Sequence, residues 1–223
     1  MSTLHMPRFR ALLERLYAAA AARDGAIMPA IIADARQRGI TDDAVLAPAL
    51  DKAFLAVAPE VGRLLYQLVR LRRPTLVVEF GTSFGLAALH IAAALRDNGS
   101  GWLISGEMEP GKVAAARRHL AEAGLEHLVE VRQGDARETL AGIDGIDLLW
   151  LDGWKTLYLS LLRQLEPALS PGALVVADNL TLLPEKMAPY LAHVRNPANG
   201  YVSTMLPLHD GLELSLRDAA GRC

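Results

Sequence analysis

Cysteine and excess charge are the two things this chain most clearly lacks. Cys223 is its only cysteine, so no disulfide can form within one molecule, and a thiol at the last position is a poor candidate for a nucleophile. Lysine and arginine total 23 against 25 aspartates and glutamates, which leaves a net charge of −2. Without a basic stripe, neither nucleic acid nor an anionic membrane is an expected partner.

Long apolar runs and closely spaced metal-binding histidines are also missing. No apolar stretch approaches the roughly 20 residues of a membrane span, and the N-terminal MSTLHMPRFR lacks the apolar core of a secretory signal. The six histidines show no H-x₃-H spacing, which argues against a zinc site. We therefore expect a cytoplasmic protein with no membrane partner.

Short apolar runs do occur, and they alternate with helical patterns through the middle of the chain. Such runs suit strands buried on both faces, and regular alternation with helices is typical of a doubly wound parallel sheet. A short link, His209-Asp210-Gly211, joins the last two strands as a hairpin, so the last strand should be antiparallel. The pattern predicts a seven-stranded, mostly parallel α/β sheet with strands at 74–80, 102–107, 128–132, 146–151, 172–177, 201–206 and 212–216.

The front of the chain has a helical pattern throughout. Residues 8–22 and 26–38 predict two amphipathic helices, Thr41-Asp42-Asp43 offers a cap for a third that runs to Leu55, and a fourth covers 59–72. We expect residues 1–56 to form a helical extension that acts as a lid or dimer contact, and residues 57–223 to form the cofactor-binding domain. The Ala/Leu-rich first helices favour a homodimer.

Two predicted strand ends carry most of the chemistry. Asp152 follows one strand, and Asp178-Asn179 close the next. Because ligands of open α/β sheets bind at the carboxyl edge, these oxygens should meet there and could hold Mg²⁺. Lys155 begins the helix after Asp152 and could point into the same cleft, where a nearby dication would lower its pKa toward that of a general base.

A glycine turn and an acid at two other strand ends indicate the cofactor. Gly81 and Gly85 do not have the G-x-G-x-x-G spacing of pyrophosphate-binding loops, which argues against a dinucleotide, but their turn would admit a ligand close to the backbone, with Glu79 just upstream. Glu107 ends the next strand, where an acid can bind ribose hydroxyls. S-adenosylmethionine has a ribose and no pyrophosphate.

In this order, the strand-end motifs resemble those of a known family. From about Val57 to Leu216 the chain resembles the class I S-adenosylmethionine-dependent methyltransferases, and within them the cation-dependent catechol and caffeoyl-CoA O-methyltransferase group. The stretches that carry the resemblance are 78–85, Gly106-Glu107, 134–136, 151–155 with Tyr158, 177–179, 191–195 and 210–213.

The resemblance implies a role for each matching residue and a small hydroxylated aromatic acceptor. Lys155 would be the general base, and Asp152, Asp178 and Asn179 would ligate Mg²⁺ or another divalent cation. The implied S-adenosylmethionine site consists of Val57, Glu79, Gly81, Ser83, Gly85, Glu107, Asp135, Ala136, Asp152 and Trp154.

The chain also departs from the family pattern at two places. Ala87 replaces a serine that many relatives use to bond the cofactor carboxylate, and residues 203–207 contain no acid to meet a catechol hydroxyl, so catechol itself is not specified. The alternatives are a metal-independent methyltransferase, a nicotinamide-dependent oxidoreductase and a non-catalytic binding module.

Overall fold

Seven strands form one sheet, and helices cover both of its faces. The computed structural model describes residues 2–40 and 43–218. The strands are β1 (Leu76–Phe80), β2 (Trp102–Glu107), β3 (Val129–Gln133), β4 (Ile146–Leu151), β5 (Leu169–Asp178), β6 (Tyr201–Leu206) and β7 (Leu212–Arg217). Their order is β3-β2-β1-β4-β5-β7-β6, and β7 runs antiparallel to both β5 and β6. The predicted α/β architecture and the antiparallel last strand are confirmed.

The helices follow the strands in the predicted alternation. They are α1 (Pro7–Gln37), α2 (Pro59–Arg72), α3 (Leu86–Asn98), α4 (Pro110–Ala123), α5 (Ala136–Thr139), α6 (Tyr158–Leu165) and α7 (Pro184–Val194). Short 3₁₀ turns lie at Thr3–His5, Asp43–Ala49, Glu126–Leu128, Lys155–Leu157, Glu166–Ala168 and Pro197–Asn199.

Successive strand residues face opposite sides of the sheet and fill two separate cores. In β4, Leu148 and Trp150 pack on the side of α2 and α3, whereas Leu149 and Leu151 pack on the side of α6 and α7. All four are fully buried, which explains why these strands are continuously apolar.

The front of the chain differs from its prediction in two respects. The two helices predicted at 8–22 and 26–38 are one 31-residue helix that ends at Gln37, because Gly25 and Pro29 do not break it. The helix predicted through Leu55 is a 3₁₀ turn that ends at Ala49, and its proposed cap residues Thr41 and Asp42 lie outside the described residues. Beyond that turn the backbone N–H groups of Phe54 and Leu55 bond to the Asp24 carboxylate at 2.7 and 2.9 Å instead of to helical carbonyls.

Helix α1 joins the body at its first half and is exposed further on. Phe9, Leu12 and Leu16 are buried in the same core as α2 and α3, whereas Ile32 is 43% exposed. By length and composition alone this helix could cross a membrane, and the expected absence of a membrane partner stays a prediction. One such helix near the N-terminus is weak evidence for a membrane, since core helices and signal sequences share these properties.

Candidate active site

A cavity of about 450 Å³ opens at the carboxyl edge of the sheet, where the ends of β1, β2, β4 and β5 meet. That volume is typical of a pocket for a small molecule or cofactor. The predicted site residues that line it are Val57, Gly81, Ser83, Glu107, Asp135, Ala136, Asp152, Trp154, Lys155, Asp178 and Asn179. Residues that are far apart in sequence therefore line one cavity.

Sheet register brings the two acidic strand ends together. Leu151 of β4 pairs with Ala177 of β5, so the residues that follow, Asp152 and Asp178, lie side by side. Asn179 comes next in a left-handed conformation with φ of 64°, which asparagine tolerates better than most residues. Its backbone N–H donates to Asp178 Oδ1 at 2.7 Å.

Asp178 is buried and the Asp152 side chain is 12% exposed, and in this environment the charged form of each carboxyl group is unfavourable. Burial raises the pKa of Asp152, and the neighbouring Asp178 raises it further, while Lys155 opposes the shift. Burial likewise raises the pKa of Asp178, against the Asn179 N–H and Lys155. Two buried carboxyls and an amide oxygen supply the hard donors that a divalent cation prefers, and a cation would relieve this repulsion. The described residues contain no cluster of three His, Cys, Asp or Glu, so the third protein ligand here would be the Asn179 amide.

Lys155 is fixed against the same two strand ends. Its Nζ lies 3.6 Å from Asp152 Oδ1 and donates to the Tyr158 hydroxyl at 2.7 Å. That hydroxyl in turn donates to the Leu151 carbonyl at 2.8 Å and approaches the Asp178 carbonyl at 3.3 Å. Tyr158 is fully buried, so one phenol ties the amine to both strands.

The turn after β1 requires glycine at its first position. Gly81 has a φ of 99°, and a Cβ there would lie 2.7 Å from the Asp152 carbonyl carbon and oxygen and the Gly153 nitrogen. Its own N–H donates to the Gly106 carbonyl at 3.0 Å. The turn is thus packed directly against the strand end that carries Asp152, and its backbone faces the cavity.

Glu107 presents a positioned carboxylate at the end of β2. Its Oε2 accepts from the Ser83 N–H at 2.8 Å and its Oε1 from the Glu109 N–H at 3.0 Å. Each oxygen keeps a lone pair for a ligand. A fixed carboxylate in this position is suited to accept from ligand hydroxyl groups.

Two predicted residues lie beneath the cavity wall and do not line it. Glu79 is fully buried, and its Oε2 accepts from the Ser105 hydroxyl. Its Oε1 has no hydrogen-bond partner among the residues that the structure describes, and burial raises the pKa of Glu79 to about 8. Gly85, at the start of α3, has a φ of 85°, and a Cβ there would lie 3.1 Å from that of Ala116. These residues support the glycine turn from behind.

The cavity also contains residues that were not predicted as site residues. Asp24 and Met28 of α1 line it, as do Lys112 of α4 and the hairpin pair His209 and Asp210. The hairpin reaches the site because the Thr181 N–H donates to the Asp210 carbonyl at 3.0 Å, behind Asn179. His209, expected to be a turn residue, is one, with a φ of 50°, and its Nδ1 lies 3.0 Å from Asp210 Oδ2.

Comparison with known families and proteins agrees with this geometry. A family described as a methyltransferase domain matches residues 78–180. The chain is 32% identical over 152 residues to a catechol O-methyltransferase of Niastella koreensis, an alignment that covers 64% of this chain and 68% of that protein. It is 31% identical to catechol O-methyltransferase B of Danio rerio, covering 72% of this chain and 64% of that one.

A solved structure extends the likeness to three dimensions. An O-methyltransferase of Streptomyces achromogenes involved in tomaymycin synthesis, crystallised with S-adenosylmethionine, superposes with a TM-score of 0.69 at 26% identity. The superposition covers 78% of this chain and 86% of that one.

Proposed function

The chain belongs to the S-adenosylmethionine-dependent O-methyltransferases, and from that premise we propose that it methylates one hydroxyl of a small hydroxylated aromatic with the assistance of Mg²⁺. The observation that carries the proposal is the cluster of two largely buried carboxyls, a carboxamide and an amine at the adjoining ends of β4 and β5. It faces the same cavity as the glycine turn and Glu107.

Each part of the cofactor would meet a different part of the cavity wall. The backbone of the Gly81 turn would receive the methionine part, and Glu107 would accept from the ribose hydroxyls. Ala136, at the start of α5, and the half-buried ring of Trp154 would flank the adenine. Val57, with the segment before α2, would close the side toward the acceptor.

Methyl transfer requires an oxygen that is deprotonated and aligned with the sulfonium. A divalent cation held by Asp152, Asp178 and Asn179 would lower the pKa of the acceptor hydroxyl and fix its orientation. Lys155 would take the hydroxyl proton on its Nζ, while the oxygen bonds to the methyl carbon and the carbon–sulfur bond breaks to leave S-adenosylhomocysteine. Tyr158 would keep that amine beside the reacting oxygen.

The acceptor end of the cavity is apolar with one acidic edge. Leu55, Leu182 and Leu183 line it although each is at least 37% exposed, so an aromatic ring would cover apolar surface there. Residues 203–207 supply no acid, but Asp210 places one in the wall. This supports an aromatic acceptor with a polar substituent.

We further propose that residues 1–56 form a lid and dimer contact on a cytoplasmic homodimer. Support comes from Asp24 and Met28, which bring α1 into the cavity wall, and from the exposed apolar side chains in the second half of α1. A monomeric mass in light scattering would contradict the dimer.

The acceptor assignment can be tested by supplying S-adenosylmethionine, Mg²⁺ and matched phenols that differ in the spacing of their hydroxyls. Because a cation can chelate two adjacent oxygens, we expect a 1,2-dihydroxybenzene to be methylated at least about 10-fold faster than the 1,3-isomer or phenol. The mono-O-methyl product is measured by mass spectrometry. Equal rates for all three acceptors would favour the metal-independent alternative.

A further inference from the structure

Lys112 is a buried amine that the proposed reaction does not use. It lies in the first turn of α4, is 6% exposed and lines the cavity close to Glu107. Among the side chains that the structure describes, none forms a hydrogen bond or ion pair with its ammonium group. Burying a charged group without a hydrogen-bond partner costs free energy. Because Lys112 lies in the wall of a ligand cavity, a bound ligand could supply that partner.

The surrounding charges define what that partner can be. Burial lowers the pKa of Lys112, whereas four carboxylates oppose the shift: Glu107, Glu109, Asp24 and Asp51. This excess of negative charge disfavours an anionic ligand. A neutral oxygen that accepts a hydrogen bond fits the same position without adding charge.

Three of these carboxylates already accept hydrogen bonds from backbone N–H groups. Glu109 caps α4 by accepting the Lys112 backbone N–H at 2.7 Å, and Asp24 accepts from Phe54 and Leu55. Glu107 is held by the N–H groups of Ser83 and Glu109. The ammonium group therefore offsets part of the negative charge of these carboxylates, while its own donors stay available for a ligand.

We propose that Lys112 is a cofactor-binding residue that donates from its Nζ to a ribose hydroxyl of S-adenosylmethionine. The inference rests on the proposed ribose site at Glu107. A ribose hydroxyl that donates its proton to the Glu107 carboxylate keeps lone pairs on its oxygen, and the adjacent ammonium group supplies a donor to them. Glu107 and Lys112 would thus bind the same hydroxyl edge of the ribose, one as acceptor and the other as donor.

The test measures S-adenosylhomocysteine binding by calorimetry, without turnover. Lys112→Met keeps the length of the side chain and removes the donor, and we expect an affinity loss of about 10- to 100-fold, the range for a hydrogen bond to a charged group. Lys52→Met, which removes an exposed lysine from the neighbouring segment, is the matched control and should leave affinity within about 2-fold. Lys112→Gln provides a second variant should the methionine variant fail to fold.

Deoxyribose analogues separate a direct contact from an indirect effect. With S-adenosylhomocysteine that lacks the contacted 2′- or 3′-hydroxyl, the penalty of Lys112→Met should shrink to about 3-fold or less. An equal penalty with both deoxy analogues, or no penalty with the parent compound, would overturn the role of Lys112. Glu107→Gln is measured in parallel: if it leaves affinity unchanged, the ribose site itself is misplaced, and the proposed cofactor site fails with it.

Discussion

Replacing Asp178 by Asn is expected to reduce kcat/KM by at least about 100-fold while leaving the protein as stable as before or more stable. The variant keeps an oxygen to accept the Asn179 N–H but loses the negative charge. Burial, and to a smaller degree the Asp210 carboxylate, make that charge unfavourable in the free protein, as the raised pKa of Asp178 indicates. Removing the charge relieves this repulsion, so the variant gains stability while it loses activity, as is common at active sites.

Asp144→Asn is the matched control for this experiment. It also neutralises a carboxylate whose Oδ1 accepts the N–H of the next residue, here Gly145 at 2.9 Å, but Asp144 is exposed and is not among the residues that line the cavity. We expect it to leave kcat/KM within about 2-fold. Thermal unfolding and steady-state kinetics measured on both variants give the comparison. If Asp178→Asn were as active as Asp144→Asn, Asp178 would not be a ligand.

Gly81→Ala should have the second large effect, on both cofactor binding and stability. The added Cβ would lie 2.7 Å from backbone atoms of Asp152 and Gly153, and the φ of 99° is unfavourable for any residue with a side chain. Backbone cannot move aside as a flexible side chain can, so the turn itself must shift. We expect S-adenosylhomocysteine affinity to fall at least about 10-fold and unfolding free energy to fall by about 2 to 4 kcal/mol.

Gly99→Ala separates the clash from the backbone strain. Gly99 also has a positive φ, of 74°, but a Cβ there would meet no atom of the described part of the chain within 4 Å. It should lower stability by about 1 kcal/mol and leave cofactor affinity unchanged. Urea unfolding and calorimetry report the two quantities, and the same result for both alanine variants would show that the close approach of Gly81 to Asp152 has no functional importance.

The sheet and the strand-end residues could be predicted because the information is local. The strand that ends before Asp152 and the strand that ends in Asp178 are short apolar runs, and parallel strands leave their carboxyl ends at one edge. Once the runs are identified, the proximity of the two acids follows from chain order. The observed register of β4 and β5 agrees with that reasoning.

The remaining wall residues depend on contacts between distant segments, which sequence patterns do not encode. Lys112 follows Glu107 by five residues on a helix, and a lysine in such a place ordinarily faces water. Lys112 is instead buried at the cavity, with Asp24 and Met28 of α1 in the same wall. The single 31-residue helix α1 was also missed, since the predicted pattern divides it into helices at 8–22 and 26–38 with Gly25 between them.

The metal requirement is the part of the proposed function that most needs a direct measurement. Turnover of a 1,2-dihydroxybenzene with S-adenosylmethionine should be measured after EDTA treatment and again after Mg²⁺ is returned, with S-adenosylhomocysteine binding followed in the same samples. We expect turnover to be lost with EDTA and restored by Mg²⁺, while cofactor binding is unaffected, because Glu107 and the Gly81 turn need no cation. Undiminished turnover in EDTA would contradict a metal site at Asp152, Asp178 and Asn179.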